Sequence, residues 1–359
     1  MSRKWGDMTG HELAQWIAAV EAEMRAVIDG VAAAGSVGHT PGFPLYDALA
    51  YHLGWLDEAG QPLDRQAGKR LRPQLCLLCC AAAGGEPSQA VPVAAAIELL
   101  HNFTLIHDDI QDRSLLRRHR PTIWARWGAS QAINAGDALF AISELALLRA
   151  AARPGVAPAL VLELLRAFND TTLRIVEGQV LDLDFEARDE VSVDEYWRMI
   201  RGKTATLLAY AAWAGAVVAG AERERAEAFW AFGERLGLGF QVQDDYLGIW
   251  GQTEQTGKVS ADDLRQRKKT LPVVLLLARA TERDRQVLQA LWRRQPPLDD
   301  EAIAVMLELL ARYAIEQAMR AMVRQLHDEA QAALARAAEP GAARDALAAL
   351  LSQLAERSA

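Results

Sequence analysis

Two acidic segments carry the first chemical signal. His101-Asn-Phe-Thr-Leu-Ile-His-Asp-Asp-Ile-Gln-Asp112 closes an otherwise apolar stretch, with Asp108 and Asp112 four residues apart and Asp109 and Asp112 three apart. On a helix both spacings put side chains on one face. Like charges so placed cost about 0.2–0.5 kcal/mol per pair in a plain helix, so three on one turn point to a bound cation. Ligands that are all oxygen favour Mg2+ over zinc. Phe240-Gln-Val-Gln-Asp-Asp-Tyr246 repeats the pattern, with Gln241 three residues before Asp244 and four before Asp245. Two Asp-Asp pairs, each ending an apolar helix, can face one another across a helix-lined cavity, as metal sites in helix bundles do.

Basic residues adjoin both segments. Gly68-Lys-Arg-Leu-Arg-Pro73 makes a compact basic turn at a helix start. Arg117 and Arg118 follow the first acidic segment, Lys203-Thr204 opens an uncharged stretch, and Lys258 and Lys268-Lys269-Thr270 follow the second segment. Carboxylates alone repel phosphate. With Lys and Arg interleaved they suit a diphosphate held partly by Mg2+ and partly by charge-assisted hydrogen bonds. Taken singly, each Lys or Arg is an ordinary solvated charge, and the signal is their placement beside the aspartates.

The elements that must position these groups are helices. Good helix formers fill long stretches. Thr9 and Glu12 make a capping box before the helically spaced apolar residues Leu13, Trp16, Ile17, Val20 and Met24. A Pro- and Gly-rich loop at 41–44 precedes a short helix at 45–53, and a polar loop runs from Gly54 to Gly68. Helices are predicted at about 70–83, 88–113, 122–150, 157–185, 193–219, 222–250 and 270–293, with two more after 300. No stretch alternates like a strand. One all-α domain over 1–359, a large helical bundle around a central cavity, accounts for the pattern.

Composition narrows the classes. The 359 residues are 51% apolar and 24% charged, which excludes general disorder. With 39 Lys+Arg against 47 Asp+Glu the net charge is −8, which speaks against a nucleic-acid partner. Cys76, Cys79 and Cys80 lie too close together for a disulfide framework and read as buried helical thiols. Thr204–Ala221 is uncharged but rich in Ala and Gly, so it is read as a buried helix rather than a transmembrane segment. Met1–Gly10 lacks an apolar signal-peptide core, and a cytoplasmic location is expected.

These motifs resemble those of the all-trans polyprenyl diphosphate synthases, which include the geranylgeranyl and farnesyl diphosphate synthases. The matching segments are GKRLRP at 68–73, LLHNFTLIHDDIQD at 99–112, LRR at 116–118, GD at 136–137, EGQVLDL at 177–183, KT at 203–204, FQVQDD at 240–245, TGK at 256–258 and DL…KKTLP at 263–272. The resemblance implies the isoprenoid-synthase helical fold and a homodimer. It implies that Asp108, Asp109, Asp112 and Asp244, with Asp245 close by, hold Mg2+, three ions when a diphosphate is bound. Arg117, Lys203, Lys258 and Lys268 would grip the allylic diphosphate, and Lys69, Arg72, His101 and Arg118 isopentenyl diphosphate. Thr204 and Gln241 would stabilise the allylic cation, while Gln179 and Asp182 line the cavity. The chain departs from the family pattern at Gly248, which takes the last position of a second DDxxD motif, at His119 and Ala261, where Gly is common, at Ala67, and in a longer 54–66 loop. Restoring the motif with Gly248→Asp is expected to change turnover by less than about tenfold.

The implied reaction is electrophilic chain elongation of an allylic diphosphate by isopentenyl diphosphate. A class I terpene cyclase is the nearest rival, and Asn169, Asp170 and Glu177 mimic its second motif, but Leu173 stands at the hydroxyl position. A non-catalytic regulatory subunit would tolerate loss of the aspartates, of which five of six are kept. The product is expected to be geranylgeranyl diphosphate, with farnesyl or longer products as the alternative. In the family an aromatic residue five before the first Asp, here Phe103, limits chain length, and the further blocks of the fifteen-carbon synthases are missing.

Overall fold

The computed structural model describes residues 10–34, 43–63, 70–251, 261–294 and 297–355. The predicted cap Thr9 lies outside them. The chain divides into two compact units. One comprises Met1–Ala167, Ala211–Glu222 and Gly341–Ala343; the other Phe168–Tyr210, Arg223–Pro340 and Arg344–Ala359. The chain passes from one to the other several times, so neither is a continuous segment.

The first unit contains α1 (Gly10–Ala34), α2 (Leu45–His52), α3 (Leu71–Ala82), α4 (Pro87–Gln111), α5 (Ile123–Trp127) and α6 (Ala129–Leu148). It also takes the start of α7 (Pro158–Ala187) and the later part of α9 (Thr206–Val218). Helix α4 packs against α1, α3 and α6, and nearly every residue from Ala90 to Leu100 is buried. A helix apolar all round belongs in a core. Among the described residues α4 is the one helix long and apolar enough to cross a membrane, and 72% of its apolar window is buried inside the protein. The uncharged stretch at 204–221 yields only the 13-residue α9, well short of the roughly 20 residues a span needs.

Two departures from the predicted elements occur here. Gly128, with φ 84°, splits the predicted 122–150 helix into α5 and α6. A two-residue antiparallel ladder, β1 (Leu116–Arg117) with β2 (Arg120–Pro121), forms where no strand is expected. It is too short for any alternation to show in sequence.

The second unit holds the rest of α7, α8 (Val193–Ile200), α10 (Arg223–Trp250), α11 (Asp262–Arg265), α12 (Leu271–Arg279), α13 (Glu282–Trp292), α14 (Asp300–Arg312), α15 (Ile315–Ala337) and most of α16 (Ala342–Ala355). Helices α10 and α15 pack side by side. Tyr196, Val242, Leu271, Met306 and Met319 are among the residues of its core. The predicted 270–293 helix breaks because Ala280 is extended and Thr281 caps α13. Three helices rather than two follow residue 300, since left-handed Ala314 ends α14. The predicted 193–219 helix is interrupted at 201–205 by one turn of wider π geometry.

Candidate active site

In the first unit the end of α4 presents Asp108 half-buried and Asp109 buried, with exposed Asp112 as its C-cap. Arg117 lies across Asp109, its Nε donating to both carboxylate oxygens at 2.8 and 3.0 Å. Burial pushes the Asp109 carboxyl up while the Arg117 bonds pull it down. A predicted metal ligand and a predicted diphosphate grip therefore hold each other.

Arg117 belongs to the β1–β2 hairpin, whose two turn residues, Arg118 (φ 53°) and His119 (φ 63°), are both left-handed. A two-residue hairpin of this kind matches the twist of its strands but favours Gly, Asn or Asp. A residue with a Cβ gives up about 1–2 kcal/mol in that conformation. His119 stands at the position where Gly would relieve it.

Beside the hairpin a cationic pocket forms from Arg72, His101, Arg117 and Arg118, joined by His52 at the end of α2. Burial first, then Arg72, Arg118, Arg117 and His52, hold the His101 imidazole far below its ordinary value. Burial, with Arg117 and Arg118, lowers His52 to about 3. Both imidazoles are neutral. Arg72 Nε and His52 Nε2 are buried without a hydrogen-bond partner among the described residues. The Arg72 Nε–H is thus a spare buried donor, which fits an anion, whereas neutral His52 spends its one N–H on the Asn102 carbonyl. Arg70, two residues before Arg72, is excluded from this role, because Glu21 and Glu98 each accept from it at 2.6 Å. The predicted residue Lys69 lies outside the described residues.

Five residues before Asp108, Phe103 packs on Phe140 (ring centroids 5.3 Å apart) and edge-on to His107 (4.8 Å). His107 has room because residue 136 is glycine; a Cβ there would lie 2.2 Å from its Nε2.

In the second unit the π turn carries Lys203 and Thr204. Its Gly202 meets Gly178 of the EGQ segment backbone to backbone, and a Cβ on Gly178 would lie 2.2 Å from Lys203 N. Lys203 Nζ donates to Asp182 at 2.6 Å. The Thr204 hydroxyl donates to Gln241 Oε1 at 2.8 Å, and Gln241 Nε2 donates to Asp245 Oδ1 at 2.9 Å.

Asp245, expected close by the metal, has a buried carboxylate that accepts from Gln241, from the Leu271 N–H at 2.8 Å and from the Tyr196 hydroxyl. Burial pushes it up to about 7 despite those bonds. Asp245 therefore anchors Gln241 and the start of α12. Asp244, its neighbour, is exposed on α10. Lys268 is exposed, whereas Lys269 caps α7 by donating to the Phe185 and Glu186 carbonyls. Lys258 lies outside the described residues.

The Gly248 position also differs from expectation. A Cβ at 248 would lie 1.9 Å from Asp263 Oδ2. The space is already filled by a carboxylate from α11, so an aspartate there would collide rather than restore a motif.

Among the described residues no three acidic, histidine or cysteine side chains converge as a ready metal cage. Mg2+ needs none, being bound commonly by one or two carboxylates together with substrate phosphates. Asp108 and Asp112 in the first unit, and Asp244 in the second, are oxygen donors with solvent access, the ligand chemistry that ion takes. Sequence reading missed His52 beside the arginines of the first unit and Tyr196 on Asp245 in the second. Neither has a spacing signal; Tyr196 is 49 residues from Asp245 and joins it only through the fold.

Comparison with known proteins places these features. Residues 54–310 match the polyprenyl synthetase family. The chain is 45% identical over 262 residues, 72% of its length and 71% of the relative's, to (2E,6E)-farnesyl diphosphate synthase of Mycobacterium tuberculosis. It is 42% identical over 239 residues, 67% of each chain, to geranylgeranyl diphosphate synthase of the same species. A polyprenyl synthetase structure from Streptomyces coelicolor A3(2) superposes with a TM-score of 0.84 at 36% identity, covering 96% of this chain and 99% of that one. With its aspartate motifs, anion pocket and helical fold, this chain belongs to the polyprenyl synthetase family and is a prenyltransferase.

Proposed function

We propose that this prenyltransferase condenses isopentenyl diphosphate with a short allylic diphosphate in a Mg2+-dependent reaction and releases mainly the twenty-carbon geranylgeranyl diphosphate. The observation that carries the substrate class is the cationic cluster of Arg72, His101, Arg118 and His52, in which the buried Arg72 Nε–H stands without a partner. Asp108, Asp109, Asp112 and Asp244 hold Mg2+, three ions with substrate bound. The metal supplies Lewis-acid neutralisation of charge on the departing diphosphate. Arg117, Lys203, Lys258 and Lys268 grip the allylic diphosphate, and Lys69, Arg72, His101 and Arg118 the isopentenyl one. Thr204 and Gln241, already bonded to each other, offer oxygen dipoles to the allylic cation. The isopentenyl double bond attacks that cation, and the proton released passes to the departing diphosphate. Apolar helix faces keep water from the cation.

Engaging the substrates requires Arg117 to exchange Asp109 for phosphate and Lys203 to exchange Asp182. Each cation is thereby kept extended until an anion arrives.

Chain length is set by Phe103, backed by Phe140. The 45% identity to a farnesyl diphosphate synthase favours a second reading, a fifteen-carbon product. Chromatography of products from isopentenyl diphosphate with each allylic starter decides between them, and no product in the presence of Mg2+ refutes the reaction itself.

The enzyme works as a single catalytic domain in the cytoplasm and as a homodimer. Supporting the dimer, Leu173, Val176 and Val180 form an exposed apolar stripe on α7, at 62%, 47% and 59% exposure. Stripes of this kind mark association surfaces. Sedimentation as a monomer would refute the dimer.

A further inference from the structure

The 54–63 loop has no role in the reaction proposed above, yet it makes a dense set of contacts. Asp57 folds it, accepting from the Ala59 and Gln61 N–H groups at 2.8 Å each, and Leu56 pairs with Pro62 as an isolated bridge. Folded this way, the loop turns its own carbonyls on two arginines. Arg120 donates to Leu56 O at 2.6 Å and to Tyr51 O at 3.3 Å, and its guanidinium stacks 4.1 Å over the Tyr51 ring. Arg126 donates to Glu58 O at 2.9 Å. Tyr51 OH donates to Pro121 O at 2.7 Å. At its other side the loop reaches the basic turn: Trp55 Nε1 donates to Glu21 Oε2 at 2.8 Å, and the same carboxylate accepts from Arg70.

What the loop grips is the base of the hairpin. Arg120 is the cross-strand partner of Arg117. Between them lie only Arg118 and His119, both in the strained left-handed conformation. A hairpin of two paired residues per strand is not stable by itself in water. Its tip would sample several conformations, and two arginines that bind diphosphate would be ordered only at the cost of binding affinity.

We propose that the 54–63 loop is a clasp that positions the diphosphate-binding arginines, and that Arg120 is its positioning residue. Arg120 touches no substrate; it acts through Arg117 and Arg118. This rests on the substrate assignment above only for the identity of the anion.

The test compares full-length wild type with Arg120→Gln, which cannot bridge two carbonyls and a ring, and with Arg120→Lys, which keeps the charge but not the fork. Steady-state rates with isopentenyl diphosphate varied should show KM raised about tenfold or more in Arg120→Gln, with kcat within twofold. Arg120→Lys should fall between that variant and wild type. A merely structural residue would lower kcat through loss of folded enzyme and leave KM in place. A KM within twofold of wild type in Arg120→Gln, whatever kcat does, overturns the clasp. Calorimetric binding of inorganic pyrophosphate gives a second readout that needs no turnover. Should wild type make no prenyl product, the proposed reaction fails, and the clasp is judged on pyrophosphate alone. A dissociation constant about tenfold weaker in Arg120→Gln then upholds it, and an unchanged one overturns it.

Discussion

Alanine at Gly248 should destabilise the protein, although alanine is the better helix former. An ideal Cβ at 248 lies 1.9 Å from Asp263 Oδ2, 2.7 Å from its Cγ and 3.4 Å from its Cβ. An ordinary contact needs at least about 3.4 Å, so the carboxyl must retreat by roughly 1.5 Å. It has little room: Asp263 is 7% exposed and Leu264 beside it is fully buried. The backbone is held too, because Lys268 N–H donates to Asp263 O at 2.8 Å. Overpacking of this kind costs about 1–3 kcal/mol. Helix propensity returns about 1 kcal/mol. The net expectation is a loss of up to about 2 kcal/mol. Gly30 in α1 is the control, since nothing lies within 4 Å of a Cβ there. Gly30→Ala should stabilise by about 0.5–1 kcal/mol. Urea unfolding midpoints of the two variants against wild type measure the difference. Gly248→Asp adds like-charge repulsion to the collision, so turnover should fall by about tenfold or more, about 1.4 kcal/mol of barrier. If Gly248→Ala gains as much stability as Gly30→Ala, Asp263 moves aside at no cost and the reasoning fails.

Further outcomes are expected. Asp108→Ala and Asp244→Ala should each lower turnover by orders of magnitude with unchanged circular dichroism, and full rates in chelator would remove the metal assignment. Stability should fall as pH drops below about 6.5, since His52 and His101 are neutral when folded and take up protons more readily when unfolded. The slope is at most about 1.4 kcal/mol per pH unit for each histidine. His52→Gln should flatten it, and an unchanged slope would mean that His52 is not held neutral. Phe103→Ala should lengthen the products on chromatography, whereas unchanged lengths would remove Phe103 as the floor. His119→Gly should stabilise by about 1 kcal/mol by relieving the left-handed turn, and a loss in thermal unfolding would contradict the strain.

Local features were legible in the sequence. Helical content follows from composition and apolar spacing, because both act within a few residues. The pairing of Asp108 with Asp112 on one face is a property of any helix. The family resemblance, carried by motifs in order from Gly68 to Pro272, named the cations proposed above to serve a diphosphate. The breaks were not legible: the π turn at 201–205 exists where Gly202 and Gly178 let two backbones meet, a contact between segments far apart in sequence. Nor could adjacency in sequence separate Asp244 from Asp245. One faces solvent and the other is buried beneath Tyr196 and Leu271, and only packing decides which carboxylate is solvated. The same holds for Arg70 and Arg72, two basic residues of one turn, of which Glu21 and Glu98 claim the first and leave the second to the anion pocket. Sequence sets which groups lie near one another along a helix. Burial and long-range partners, which depend on the whole fold, set their charge, their freedom and so their chemistry.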